Sequence, residues 1–238
     1  MNKFKYYSNR LLSKPTKSLN DEYLRWLTFV NPGMLHPGNP YCFDYAIKNL
    51  PSEDPIIEIG SFCGLSTNTI SYLLKKRNKT NKIFCSDRWI YEGYEEAESK
   101  YLGNSNISHQ EYRTFIKETF KRNINFFSRE NLPYPIELFS DDFFDVWGKE
   151  LEVEDIFGRK VKSGGPISFA YIDGNHTYEF TKRDFINTDK YLVKGGFILF
   201  DDTHILSTFG CAEFMKEVEK NQDYELVMKN PNYLFRKK

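Results

Sequence analysis

No apolar run approaches the ~18 residues that a membrane-spanning helix requires, so none is expected in this 238-residue chain. Net charge is also missing: 33 Lys and Arg balance 33 Asp and Glu, which excludes a strongly basic nucleic-acid binder and an acidic disordered tail. Cysteine is scarce. Cys42, Cys63, Cys85 and Cys211 are widely spaced, with no C-x-x-C pair and no Cys/His cluster, so neither a zinc site nor a disulfide framework is expected. They read as buried thiols in a reducing cytoplasm. The basic stretch Met1–Arg10 lacks the apolar run of an export signal, which adds to the expectation of a cytoplasmic protein. Internal repeats and low-complexity segments are absent.

What is present is apolar and aromatic mass. Phe, Tyr and Trp make up 17% of the chain, enough to build one substantial core. Short apolar runs alternate with longer amphipathic segments, the pattern of βαβ units on a parallel sheet. Strands are expected at Ile56–Ile59, Ile83–Ser86, Ile136–Phe139, Ser168–Ile172 and Phe197–Phe200. Helices are expected at Tyr41–Leu50, Ser66–Arg77, Gln110–Phe127, Glu179–Leu192 and Gly210–Lys220. Glu225–Met228 and Tyr233–Arg236 flank the turn residues Asn230-Pro231-Asn232 and read as an antiparallel pair closing a doubly wound α/β sheet. Residues 1–54 form a Pro-punctuated lead-in and helix that pack on the core. Residues 55–238 form the main domain, with insertions at about 88–109 and 147–166. Tyr91, Tyr94 and Tyr101 of the first insertion are candidates for an acceptor pocket or for simple packing.

After the first strand the chain reads Gly60-Ser61-Phe62-Cys63-Gly64. Gly60 suits a tight turn and Gly64 a close backbone approach to a ligand, at the N-terminus of the following helix. Asp87 ends the second strand 27 residues after Gly60, where a nucleotide-binding fold places a carboxylate for ribose hydroxyls. The pair fits either a dinucleotide or an adenosine-containing cofactor such as S-adenosylmethionine. Phe62 and Leu65 break the G-x-G-x-x-G pattern, which argues against NAD. Glu58, at the end of a buried strand, needs either a cationic ligand or local hydrogen-bond donors.

Two later strands end in acids: Asp173, and the adjacent pair Asp201-Asp202, 28 residues on. Strand, crossover helix and strand account for that spacing, so three carboxylates should meet at one sheet edge, with a cation to relieve their repulsion. Oxygen ligands suit Mg²⁺, or Ca²⁺ or Mn²⁺ in its place. His176 and His204 lie on the same edge, and His176 has the better case as a general base.

The chain resembles class I S-adenosylmethionine-dependent methyltransferases, specifically the divalent-metal-dependent O-methyltransferases typified by catechol O-methyltransferase and the macrocin O-methyltransferase family. The residues concerned are Glu58 through Ser66, Asp87, Ser140-Asp141-Asp142, Ile172-Asp173-Gly174-Asn175-His176-Thr177-Tyr178-Glu179, and Gly195-Gly196 leading to Asp201-Asp202. The resemblance covers about residues 35–236 and implies a seven-stranded Rossmann-like sheet with an antiparallel C-terminal edge strand. It implies that Gly60, Ser61, Gly64 and Ser66 line S-adenosylmethionine, that Glu58 lies near its methionine end and that Asp87 holds its ribose. Ser140 and Asp141 would flank the adenine, and Asp173 would also border the cofactor. Asp173, Asp201 and Asp202 would ligate Mg²⁺ or another divalent cation, and His176 would be the general base beside Asp173. Asn175 departs from the acid common in sugar-modifying relatives, and the 88–109 insertion has no counterpart. The implied partner is a small-molecule acceptor, a saccharide rather than a catechol, with neither nucleic acid nor membrane; a homo-oligomer stays open. The alternatives are a non-catalytic cofactor-binding protein, a cephalosporin-hydroxylase-like relative and a nicotinamide enzyme.

Overall fold

The strands expected from unbroken apolar runs form where those runs occur, because a parallel strand covered on both faces must be apolar on both. The computed structural model describes residues 15–90, 100–204 and 207–238. In it β1 (Ile56–Ile59), β2 (Ile83–Ser86), β3 (Tyr134–Ile136), β6 (Ile167–Ile172) and β7 (Leu192–Phe200) are joined in parallel. Together with β8 (Tyr224–Lys229) and β9 (Tyr233–Lys237) they form a seven-stranded sheet in the order β3-β2-β1-β6-β7-β9-β8. The C-terminal hairpin supplies the antiparallel side. Within it, β9 pairs antiparallel with β7, and β8 lies outermost.

Helices cover both faces. Helices α1 (Glu22–Val30), α2 (Asn39–Lys48) and α3 (Leu65–Lys76) bury Leu27, Phe43 and Leu73 against one face. On the other, α5 (Ser140–Gly148), α6 (Tyr178–Asp189) and α7 (Gly210–Val218) bury Phe143, Phe185 and Phe214. Helix α4 (His109–Phe127) carries a separate cluster, in which Phe120 and Ile124 pack on Cys63 and Trp89 over the glycine turn. All four cysteines are buried and unbridged. Among the described residues, no helix is long and apolar enough to cross a membrane.

Two expectations need correction. The strand expected at Ile136–Phe139 lies earlier and stops at Ile136. Pro135, which has no N–H to donate, is tolerated because β3 is an edge strand paired only to β2. Phe139 instead caps α5, which, like α1, the periodicity did not single out. The second insertion begins too early, since Trp147 belongs to α5 and is fully buried. The rest of it is a hairpin of β4 (Glu152–Glu154) and β5 (Lys160–Lys162). Tyr91 and Tyr94 lie outside the described residues, whereas Tyr101 bridges to Ser108 just before α4.

From β1 the chain moves outward to β2 and β3, then returns to β6 on the other side of β1. That reversal opens a crevice beyond the carboxyl ends of β1 and β6, the usual binding place in doubly wound sheets.

Candidate functional site

Gly60 leaves β1 at φ 81°, and a Cβ there would sit 1.9 Å from the Asp173 carbonyl oxygen. Only glycine allows the ends of β1 and β6 to touch at the crevice. Gly64, at φ 86°, begins α3, but the space a side chain would fill is occupied by Ile124 and Phe120 of α4 at 3.1 and 3.2 Å. On the side where a Cβ would lie, Gly64 thus packs closely against α4.

Glu58 lies beneath the turn and is fully buried. Its Oε2 accepts from the Ser61 hydroxyl at 3.2 Å and the Thr67 hydroxyl at 2.5 Å. Burial pushes this carboxyl up, and the Ser66, Thr67 and Ser61 hydroxyls with the Cys85 thiol draw it back. These side chains brace the turn through Glu58 Oε2, whereas Glu58 Oε1 is buried without a hydrogen-bond partner among the described residues.

Asp87 ties β2 to the same turn. Its Oδ2 accepts the Ser61 and Phe62 N–H groups at 2.7 and 2.9 Å, and its Oδ1 accepts that of Trp89 at 2.6 Å. Burial pushes the carboxyl up, and these N–H groups pull it down. The Arg88 N–H adds to this pull, so four backbone donors converge on one carboxylate. The Trp89 indole, missed in the sequence, donates to the Phe62 carbonyl at 3.0 Å and packs on Phe120, closing the turn from above.

Ser140 and Asp141 open α5, and both turn toward α6. Asp141 meets Arg183 and Asn187, each at 3.1 Å, and the Ser140 hydroxyl hydrogen-bonds to Asp184. Asp184 is 2% exposed, with its Oδ1 unpartnered, and burial pushes its carboxyl up to about 7. An acid whose folded-state pKa is raised keeps its proton in the folded protein after the unfolded chain has lost it. Stability therefore falls as pH rises from about 4 to about 7, by ~4 kcal/mol at most. Asp184→Asn should remove that slope. Its advantage in melting temperature over the parent should grow across this window and level off above it; a constant difference from pH 4 to 8 would refute the assignment.

The three acids do meet at one edge. Asp201 is 5% exposed and has both oxygens occupied. Its Oδ1 accepts from the side-chain amides of Asn39, at 2.7 Å, and Asn232; its Oδ2 accepts from the Tyr171 hydroxyl at 2.8 Å. Tyr171 also reaches Asp173 Oδ2 at 2.9 Å. Burial pushes the Asp201 carboxyl up, while Asn39 and Tyr171 lower it. Neutral donors thus offset part of the charge on Asp201. Asp173 is raised well above the usual range by burial and by the charge of Asp201, and His176 opposes that rise. His176 Nε2 faces Asp173 Oδ1 at 3.5 Å and Asp202 Oδ2 at 3.4 Å, and its ring stacks on half-exposed Phe209 at 4.9 Å.

Among the described residues, no group of three or more His, Cys, Asp and Glu side chains is disposed to hold a metal ion. Of the expected Asp173, Asp201, Asp202 set, Asp173 and Asp202 each turn an oxygen toward His176, whereas Asp201 is bonded within the Tyr171 network. His36 of the lead-in joins this edge. Its Nδ1 accepts the Gly38 N–H at 3.0 Å, and burial lowers its pKa while Asp201, Asp202 and His204 act on it electrostatically. Asn39, Tyr171 and Asn232 were missed. The turn-rich stretches around Asn39 and Asn232 were legible as turns, but not their convergence.

The methyltransferase-domain family model matches residues 57–203. A sequence search of curated proteins returns no match. Among solved structures, the fold is similar to that of the O-methyltransferase TomG from Streptomyces achromogenes in complex with SAM, at 13% identity and TM-score 0.54, covering 99% of this chain and 96% of that one. It is also similar to an O-methyltransferase from Bacillus cereus in complex with SAH, at 15% identity and TM-score 0.55, covering 98% and 96%. The TDP-rhamnose 3'-O-methyltransferase CalS11 of calicheamicin biosynthesis matches at 14% identity and TM-score 0.54, covering 98% and 92%.

Proposed function

The chain belongs to the methyltransferase-domain family, and from that premise we propose that it moves a methyl group from S-adenosylmethionine to a hydroxyl of a small-molecule acceptor, a sugar or glycosylated metabolite. The observation that carries this reading is the placement of His176 between Asp173 and Asp202, at the same sheet edge as Gly60 and Asp87. Asp87, at the end of β2, would meet a ribose hydroxyl, and the crevice between β1 and β6 would hold the cofactor with its methyl group toward His176. His176 takes the acceptor's proton as the oxygen attacks the methyl carbon and the sulfonium leaves as a neutral thioether. The carboxylates on either side of the ring then stabilise the imidazolium. Positioning and electrostatics supply most of the rate in such a displacement.

Asp173 and Asp202 would hold Mg²⁺ or another divalent cation, which when bound supplies a charge that acidifies a hydroxyl and a template for vicinal oxygens. Asp201, 5% exposed and bonded to Asn39, Asn232 and Tyr171, would act behind this pair. Similarity of fold to a TDP-rhamnose methyltransferase supports a saccharide acceptor.

The test is transfer of labelled methyl from S-adenosylmethionine to a panel of methyl glycosides, nucleotide sugars and catechol, with Mg²⁺ and with EDTA. Labelled sugar ether is the expected product, lost in EDTA and restored by Mg²⁺. Transfer to catechol alone would overturn the acceptor class. Activity unchanged in EDTA would remove the metal, and cofactor binding without turnover on any member would favour a non-catalytic binding protein.

A further inference from the structure

Asn39 and Asn232 are 193 positions apart and both lie outside the span matched by the family model, yet they meet on Asp201. Both are fully buried, and their amide orientations are fixed by a one-way chain of hydrogen bonds. The Thr203 N–H donates to Asn232 Oδ1 at 3.0 Å, which turns Asn232 Nδ2 toward Asp201 and toward Asn39 Oδ1 at 3.0 Å. That contact in turn leaves Asn39 Nδ2 to donate to Asp201 at 2.7 Å and to the Tyr171 hydroxyl at 3.3 Å. Tyr171 is then an acceptor from Asn39, and its single proton is shared between Asp201 and Asp173. The lead-in cannot drift from this arrangement. Asn230 Nδ2 donates to the Gly38 carbonyl at 3.0 Å, and a Cβ on Gly38 would lie 1.8 Å from the Asn230 carbonyl oxygen.

We infer that Tyr171, backed by Asn39 and Asn232, is a positioning residue for the His176 site: its hydroxyl holds one oxygen of Asp173 so that the other faces the imidazole. This inference rests on the proposed role of His176. It adds that segments outside the matched domain set the geometry at the base. None of the three residues touches the acceptor. They act through Asp173, as outer-shell partners do when they orient a functional side chain.

The test uses full-length protein labelled with ¹⁵N in histidine and compares long-range ¹H–¹⁵N spectra of the parent and Tyr171→Phe. His176→Gln and His109→Gln spectra provide the assignments. The expected result is displaced ring-nitrogen signals for His176, unmoved signals for His109 at the far end of α4, and S-adenosylhomocysteine affinity within about twofold of the parent. A role confined to stability would lower the melting temperature without singling out His176. Superimposable His176 signals would overturn the inference. Asn39→Ser, which removes the donor behind Tyr171, provides the same comparison if the phenylalanine variant does not fold. Failure of the parent to bind S-adenosylhomocysteine would count against the proposed function and leave the spectral comparison standing.

Discussion

Gly60→Ala should cost about 3 kcal/mol of stability, a fall of ~10 °C in melting temperature, and should weaken S-adenosylhomocysteine binding at least tenfold. Two effects add. A left-handed φ of 81° costs a residue with a Cβ roughly 1 kcal/mol, and the new atom would lie 1.9 Å from the Asp173 carbonyl oxygen. The overlap is with backbone, so no side-chain rotation relieves it. One strand end must move, either the one that leads to Asp173 or the one that leads to the turn held by Asp87. Gly158→Ala separates the two effects, because Gly158 has φ 78° and nothing lies within 4 Å of the position its new methyl group would take. It should lose only about 1 kcal/mol and bind the cofactor product normally. Equal losses in the two variants would show that the contact between β1 and β6 does not govern the crevice.

His176→Gln should lower methyl transfer by roughly 10²- to 10⁴-fold while leaving S-adenosylhomocysteine affinity within about twofold, the range expected on losing a positioned general base. Glutamine keeps much of the volume beside Phe209 but cannot become cationic between Asp173 and Asp202. A variant that retained its rate within a few-fold would assign the proton to another group at this edge. A variant that lost cofactor binding as well would make His176 part of the cofactor's wall.

The elements that build the crevice were legible because their signals are local. Continuous apolar runs mark β1, β2, β6 and β7, and Gly60 and the terminal acids follow directly on strands whose direction the alternation fixes. The α5 helix was missed because its first turn, Ser140-Asp141-Asp142, reads as a loop, and its burial depends on aromatic side chains packing against a sheet that is distant in sequence. The Asp201-Asp202 pair shows a different limit. Asp202 has φ 51°, and this left-handed residue re-aims the chain, so that the first acid turns inward to Asn39 and Asn232 and the second faces His176. Adjacent identical residues carry no mark of which faces where. The buried amides themselves come from two ends of the chain, and a contact of that sequence separation leaves no periodicity to read.

The central claim is that the crevice beside Gly60 and Asp87 binds an adenosine cofactor of the methyl-transfer type. Isothermal titration of the full-length protein with S-adenosylhomocysteine, in Mg²⁺ and in EDTA, with NADH and Asp87→Ala as comparisons, tests it most directly. The account predicts one site per chain for S-adenosylhomocysteine, at least tenfold weaker binding in Asp87→Ala, and no heat from NADH. No binding of S-adenosylhomocysteine under any condition, or NADH bound in its place, would contradict it.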